Sequence, residues 1–205
     1  MNLSELKSAV ESHSGTFLCE RINLPSETKV VRFAHVVGLA EPNAQLPNVG
    51  RLPDFLRTFG SLIFYQDHVS GESAVHLAPA SQWPDLDSDF RDWIDHLSED
   101  ERQEFLPEWV DKCLVIGEEP ATGNYLLMAV DGSEPGAVYL FDHDGFEFTR
   151  EAGDVIEYVE RMLTPDNRAL TGFASHMRFR DGDPRVQWWI LDLNDNRGHT
   201  ATTRA

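Results

Sequence analysis

The chain has 205 residues, of which 41% are hydrophobic, so it can bury one sizeable core. Its 35 acidic residues outnumber the 17 basic ones and leave a formal net charge of -18 at pH 7. This balance argues against nucleic acid or an anionic membrane as the partner, because both require a basic surface. A cationic partner would fit, although acidity can also serve only to keep a protein soluble.

The sequence also argues against membrane and secretory segments. Its apolar stretches are far shorter than the roughly 20 residues that a membrane-spanning helix needs. The N-terminus has no basic segment followed by an apolar run, so we expect a cytoplasmic protein. In a reducing compartment, Cys19 and Cys113 are expected to be small buried residues rather than a disulfide, since each lies in an apolar segment.

The first elements alternate between helix, strand and loop. Apolar residues at helical spacing predict a helix over residues 3–13. Two strand-like runs follow at residues 17–22 and 29–37. Residues 39–50 are rich in Pro, Asn and Gly and predict a loop. A short helix over residues 52–60, with Pro in its first turn and Gly at its end, leads into a strand at residues 62–65.

The clearest helical pattern covers residues 85–97, where four apolar side chains recur at i, i+3, i+4 and i+7. They are Phe90, Trp93, Ile94 and Leu97. The opposite face of this helix is nearly all acidic. The pattern predicts that Trp93 is buried in the core, whereas Trp83, which precedes a proline, is expected to be a surface aromatic.

The remaining elements complete an α+β pattern. Ser98 and Glu101 have the spacing of a capping box and predict a helix toward Phe105. Turn residues then separate four strand-like runs, which predict an antiparallel meander. The runs are residues 113–116, 124–130, 137–141 and 146–149. A helix over residues 154–163 and a hairpin of residues 177–180 and 186–193 follow, and the residues after Asn194 are expected to fray.

No catalytic or metal-binding motif stands out. The eight histidines and two cysteines lack the spacing of a zinc site or a metalloprotease helix. Residues 192–198 begin like a calcium loop but have Arg197 where glycine is needed and Thr203 where glutamate is needed. Asp142, His143 and Asp144 are expected to form a hairpin turn with their side chains pointing apart. We therefore expect no enzyme activity, cofactor or metal, while a site assembled from distant residues stays open.

Residues 52–165 resemble the SUKH (SMI1/KNR4-like) superfamily. The resemblance rests on Trp109, on the strand pattern of residues 114–118, 123–131 and 136–144, and on the closing helix at residues 154–163. It implies a compact α+β domain with a largely antiparallel sheet and helices packed around it. On this interpretation residues 1–205 form a single SUKH-like domain, and residues 17–50 and 166–194 are extensions, the second with an extra C-terminal hairpin. Residues 195–205 would be a frayed tail.

What the resemblance implies for function is a binding module, widespread as immunity proteins beside bacterial toxins. The chain would bind and neutralise a cognate toxin by stoichiometric inhibition, and a basic nuclease is the natural target. A regulatory or small-ligand-binding SMI1/KNR4-like domain without a toxin partner is the alternative. The sequence does not indicate the oligomeric state.

The charge pattern supports a cationic partner independently of the resemblance. Residues 85–119 hold thirteen acidic residues against three basic ones, a net of -10. Such a surface would speed encounter with a basic protein and could occupy a groove built for phosphates. Solvated acidic helix faces are common, however, and are the simpler interpretation. The predicted partner-binding residues are Trp83, Asp85, Asp87, Asp89, Asp92, Glu99, Asp100, Glu101, Glu104 and Glu108.

Overall fold

The computed structural model of the protein describes residues 1–41, 47–181 and 183–204. Six α-helices and eleven strands lie in this part of the chain, and all strand pairs with a defined register are antiparallel. The predicted α+β class is therefore confirmed. Among the described helices, none combines the length and the apolar composition that crossing a membrane requires. Residues 42–46 of the predicted loop lie outside the described residues.

The elements follow one another as predicted, with three additions: a helix after residue 165 and two short strands, one at residues 75–77 and one at residues 200–202. The helices are α1 (Leu3–Ser12), α2 (Leu52–Thr58), α3 (Trp83–Ile94), α4 (Glu99–Phe105), α5 (Val155–Met162) and α6 (Asn167–His176). The strands are β1 (Ser14–Arg21), β2 (Leu24–Val37), β3 (Leu62–Gln66), β4 (Val75–Leu77), β5 (Leu114–Glu119), β6 (Asn124–Met128), β7 (Val138–Asp142), β8 (Glu147–Ala152), β9 (Phe179–Asp181), β10 (Asp183–Asp195) and β11 (Thr200–Thr202).

The chain divides into two compact units, and the first comprises Met1–Val36, Ile63–Ala74 and the chain from Arg161 onward. In this unit β1 pairs with β2 on one side and with β10 on the other, and β10 also pairs with β9 and β11. The β9–β10 pair is the predicted C-terminal hairpin. The core of the first unit is aromatic, with the rings of Phe17 and Phe33 4.8 Å apart and those of Phe33 and Tyr65 4.9 Å apart.

The C-terminal end of the first unit is ordered, so the expectation that the residues after Asn194 fray is wrong for the described residues. Strand β11 pairs with β10, and Ala201 is buried. The side-chain amide of Asn196 donates to the carbonyl of Ser12 at 2.7 Å, and its backbone N–H donates to the carbonyl of Ser14 at 2.8 Å. These bonds tie the C-terminal turn to the end of α1, a partner too distant in sequence to be seen in the local pattern.

The second unit comprises Val37–Leu62 and Val75–Glu160. It contains the predicted meander, in which β5, β6, β7 and β8 pair antiparallel in chain order, and β4, a strand that the sequence pattern did not predict, pairs with β5. Helix α2 has a proline in its first turn, and Gly60 after its end adopts a φ of 70°. The capping box of Ser98 and Glu101 starts α4 as predicted. Cys113 here and Cys19 in the first unit are free and buried, also as predicted.

Helix α3 packs against β5 through a face that only partly matches the predicted one, since Phe90 and Ile94 are buried as predicted but Trp93 and Leu97 are not. It begins at Trp83 and ends at Ile94, so Leu97 lies beyond the helix. The buried stripe therefore runs from Trp83 to Ile94 instead of from Phe90 to Leu97, and Trp93 lies at its margin. The buried residues of α3 are Trp83, Leu86, Phe90 and Ile94.

Both tryptophan predictions for this helix are wrong. Trp83 is only 7% exposed, and its Nε1–H donates to the carbonyl of Ala78 at 3.0 Å. Trp93 is 40% exposed. The reason is the end of the helix at Ile94, which removes Leu97 from the apolar stripe and leaves Trp83 to complete it at the other end.

Candidate functional site

Helices α3 and α4 of the second unit carry most of the predicted partner-binding residues at the surface. Eight of the ten are exposed carboxylates, and we call these the acidic face. The acidic face consists of Asp85, Asp89, Asp92, Glu99, Asp100, Glu101, Glu104 and Glu108. Of the other two predicted residues, Asp87 is half-buried, whereas Trp83 is buried and offers no surface to a partner.

The basic residues of this region are engaged with carboxylates outside the acidic face. Arg91 pairs with Asp87, with Nε and Oδ1 3.2 Å apart, and Arg102 pairs with Asp111, with Nη2 and Oδ1 2.9 Å apart. Lys112 contacts the carboxylate of Asp131 at 2.8 Å.

The acidic face is consequently left without a paired countercharge. Within the described residues, none of its eight carboxylates takes part in an ion pair. Because carboxylates outnumber cations in this region, the face presents a net negative potential to solvent.

Trp93 lies on the same helix and is exposed but firmly held. Its indole acts on the phenol of Tyr125, where it opposes the rise in pKa that burial causes. Its ring lies over that of His143, with centroids 4.8 Å apart and planes tilted by 51°. Gly123, in the turn between β5 and β6, has a φ of 86°, and a Cβ at this position would lie 3.1 Å from the Trp93 Cζ2 atom.

His143 is itself fixed by Asn124, whose side-chain oxygen accepts from both the backbone N–H and the Nδ1–H of His143, at 3.1 and 2.9 Å. The amide nitrogen of Asn124 donates to the Glu119 carboxylate at 2.8 Å. Burial raises the pKa of Glu119 to about 7, and the nearby carboxylates of Asp142 and Glu151 act in the same direction. A chain of contacts therefore runs from a partly buried carboxylate to the exposed indole.

The hairpin turn after β7 brings the ligand atoms of Asp142, His143 and Asp144 within 4.8 Å of one another. The expectation that these side chains point apart is wrong, because the turn bends the chain and interrupts the alternation. The carboxylate of Asp142 accepts from the backbone N–H of Asp144 at 3.0 Å, and the His143 Nδ1 is bound to Asn124. These bonds stabilise the predicted turn geometry.

A buried polar chain in the first unit is the feature that the sequence pattern missed. Tyr65 donates its backbone N–H to Nδ1 of His35 at 2.9 Å, and Nε2 of His35 lies 2.6 Å from Nδ1 of His13. Nε2 of His13 lies 2.8 Å from the Asp195 carboxylate. The side chains of His13 and Asp195 are fully buried, and the same carboxylate oxygen accepts from Nδ1 of the half-exposed His199 at 2.8 Å.

These distances determine the tautomers of both buried histidines. Because Nδ1 of His35 accepts from Tyr65, the neutral ring carries its proton on Nε2 and donates to His13. His13 must then carry its own proton on Nε2 and donate to Asp195. Burial lowers the pKa of His35 to about 3 and also lowers that of His13, so both rings are neutral at physiological pH.

Asp195 is the charged end of this chain. Burial opposes its ionisation, but hydrogen bonds from His13 and His199 and from the backbone N–H groups of His199 and Arg197 outweigh it and hold its pKa well below the usual range. Asp195 belongs to residues 192–198, the segment that begins like a calcium loop. Its carboxylate oxygens instead accept hydrogen bonds from these donors. The arrangement stabilises the fold and, being buried, is not open to a substrate.

One signal in the sequence could have indicated the buried polar chain. In β2, alternation places His35 on the same buried face as Val31 and Phe33, so a histidine is directed into an aromatic core. A buried imidazole requires partners for both nitrogens. The identity of those partners depends on the folded arrangement, since His13 and Asp195 are 182 positions apart.

Comparisons with known proteins returned no match: neither a family model, nor a curated protein, nor a solved structure is similar to this chain. The resemblance to the SUKH superfamily therefore rests only on the sequence motifs of residues 52–165.

Proposed function

We propose that this protein is a cytoplasmic immunity protein that binds and neutralises a basic bacterial toxin by stoichiometric inhibition, without catalytic turnover. The observation that carries the proposal is the acidic face of α3 and α4. Its eight carboxylates are exposed, and none of them takes part in an ion pair within the described residues.

Charge of this kind acts mainly on the rate of encounter. A surface of one sign attracts a partner of the opposite sign over about a Debye length, roughly 8 Å at physiological ionic strength. Electrostatic attraction of this type raises association rates well above those of neutral partners. A nuclease is the natural target, because carboxylates can occupy a groove whose basic residues otherwise bind phosphates.

The resemblance of residues 52–165 to the SUKH superfamily supports the same proposal from a different direction, since immunity proteins are widespread in it. The alternative is a regulatory or small-ligand-binding domain of the SMI1/KNR4 type without a toxin partner. Such a domain would not require an unpaired acidic surface, and the acidic face therefore favours the immunity function.

Stoichiometry is the first test. The product of the adjacent gene, which is the first candidate for the toxin, would be mixed with increasing amounts of this protein and its toxic activity measured. A binder silences its target only at molar equivalence or above. Full silencing at a small fraction of equivalence would contradict the proposal, because it would require turnover.

Charge reversal is the second test. Asp85, Asp89, Asp92 and Glu99 would be changed together to Lys, and association followed at low and at physiological salt. A matched control variant would carry the same change in net charge at four positions outside the acidic face: Glu11, Glu27, Glu147 and Glu160. The proposal expects association to slow by about tenfold or more at low salt in the first variant and much less in the control. Equal effects in both folded variants would mean that only net charge matters and that the acidic face is not the binding surface.

A further inference from the structure

Trp93 is a large aromatic side chain that leaves 40% of its surface in water. Exposed aromatic surface is costly in free energy, about 25 cal/mol for each Å² left unburied. Trp83, at the other end of the same helix, is buried, so a tryptophan can be buried on α3. The exposure of Trp93 is therefore a feature to be explained.

The ring is held by contacts that leave one part of it free. The ring of His143 lies against it at a tilt of 51°, with centroids 4.8 Å apart. Gly123 provides the close approach on the β5–β6 turn, where a side chain would crowd the indole. A partner that contacts this ring loses little conformational entropy in ordering it, and rigid tryptophans of this kind are typical of binding hot spots.

Negative charge lies on the same helix as the exposed indole. Asp89 lies four residues before Trp93 on α3 and hence on the same side of the helix, whereas Asp92, the preceding residue, projects from an adjoining part of the helix surface. Both are exposed members of the acidic face without an ion pair in the described structure. Both also act electrostatically on Tyr125, as the Trp93 indole does: burial and the charges of Asp89 and Asp92 raise the pKa of its phenol.

We propose that the exposed face of Trp93, with the carboxylates of Asp89 and Asp92, is a binding site for an arginine side chain of a basic protein partner. A guanidinium is planar and weakly hydrated, so it can stack on the indole while its N–H groups donate to the carboxylates. A lysine ammonium is a compact, strongly hydrated charge and gains less from the ring. The inference rests on the proposed function for the identity of the natural partner, but not for the chemistry of the site.

The test uses the full chain and two synthetic peptides of equal charge, nona-arginine and nona-lysine, at physiological salt. We expect the wild-type protein to bind nona-arginine about fivefold more tightly than nona-lysine, in line with a cation–π contribution at a partly exposed site. Trp93→Ala should remove this preference and leave the binding of nona-lysine nearly unchanged. The matched control is Phe105→Ala, because Phe105 is 45% exposed at the end of the acidic helix α4 and should not affect the preference.

A direct measurement does not depend on any variant folding. In a two-dimensional NMR titration of the wild-type chain, nona-arginine should shift the indole N–H signal of Trp93 more than that of Trp109, which stacks on Tyr139 at 4.3 Å. No difference between the peptides, or no shift at Trp93, would overturn the arginine site. The immunity proposal would still stand in that case if the charge-reversed acidic-face variant lost toxin binding. Failure of the arginine site can therefore be distinguished from failure of the immunity proposal.

Discussion

Asp195 and Glu119 are carboxylates withdrawn from water in different units, and their surroundings act on them in opposite directions. Asp195 accepts bonds from two histidine rings and two backbone N–H groups, which outweigh its burial and keep it ionised. Glu119 accepts one bond from the Asn124 amide, and its burial dominates, which raises its pKa to about 7. The number of hydrogen-bond donors explains the difference: the donors around Asp195 stabilise its charged form, whereas the single donor to Glu119 does not compensate for burial.

The raised pKa of Glu119 gives a stability prediction with a defined sign. The folded protein holds this proton up to about pH 7, whereas the unfolded chain releases it near the ordinary value of 4.5, so stability is lost as the pH rises between the two. We expect Glu119→Gln to raise the free energy of unfolding by about 1 to 3 kcal/mol at pH 8 and to change it little at pH 4.5. Urea unfolding at both pH values measures this. Glu118→Gln, at a neighbouring half-exposed residue, is the control, and an equal effect of Glu119→Gln at both pH values would contradict the prediction.

The neutral histidines of the first unit predict the opposite pH dependence. His35 has a pKa lowered from 6.5 to about 3 in the folded protein, so the unfolded chain binds its proton first as the pH falls. The stabilising contribution is complete above pH 6.5 and is lost toward pH 3, at up to about 1.4 kcal/mol per pH unit for each such group. His13, whose pKa is also lowered, acts in the same direction, while Asp195 and Arg197 are the charged groups that face the pair.

The measurement is the slope of unfolding free energy against pH between 5 and 6.5. His35→Leu should destabilise the protein at every pH, because Tyr65 N–H and His13 lose their partner, but its slope should be shallower than that of the wild type. His68→Asn changes an exposed histidine of the same unit and should leave the slope as it is. An unchanged slope in His35→Leu would mean that the buried ring takes no part in acid unfolding.

At the scale of elements, local patterns predicted local structure well. The capping box before α4 and the turn residues of the meander each determine hydrogen bonds within a few residues, and both predictions are confirmed. What could not be predicted depends on contacts between distant segments. The inward face of α3 depends on where the helix ends, and the chain from Tyr65 to Asp195 joins elements from both ends of the sequence. The same limit applies to the candidate site: the acidic residues are evident in the sequence, but the exposure of Trp93 is not.

The true face of α3 reverses the expected cost of two substitutions. Trp83→Ala removes a buried ring and its hydrogen bond to Ala78 and should lower the free energy of unfolding by about 3 to 5 kcal/mol. Trp93→Ala removes a 40% exposed ring and should cost less, on the order of 1 to 2 kcal/mol. Guanidinium unfolding of both variants against the wild type measures the difference. A larger loss for Trp93→Ala would show that the helix packs through the originally predicted stripe.

At the scale of the whole molecule, charge is unevenly distributed. The chain has a net charge of -18, and residues 85–119 alone contribute -10. Several basic residues of the described structure are engaged in surface pairs such as Arg57 with Asp54 and Arg150 with Glu134, and such pairs contribute about 0 to 1 kcal/mol each. Repulsion among the excess carboxylates is therefore not offset locally, and it must lower the stability of the compact state.

Salt should consequently stabilise this protein at neutral and alkaline pH. Screening shortens the range of repulsion from about 30 Å at 0.01 M ionic strength to about 8 Å at 0.15 M, so the excess negative charge on the folded chain is relieved more than that on the expanded unfolded chain. We expect the melting temperature at pH 8 to rise by several degrees, roughly 3 to 6, as sodium chloride increases from 0.01 to 0.3 M. The charge-reversed acidic-face variant, with a net charge of about -10 by the same count of side chains, should show a smaller rise. The gain should also shrink as the pH approaches the isoelectric point of about 4.6. A melting temperature that falls with salt at pH 8 would instead mean that the surface ion pairs, which salt weakens, outweigh the net repulsion.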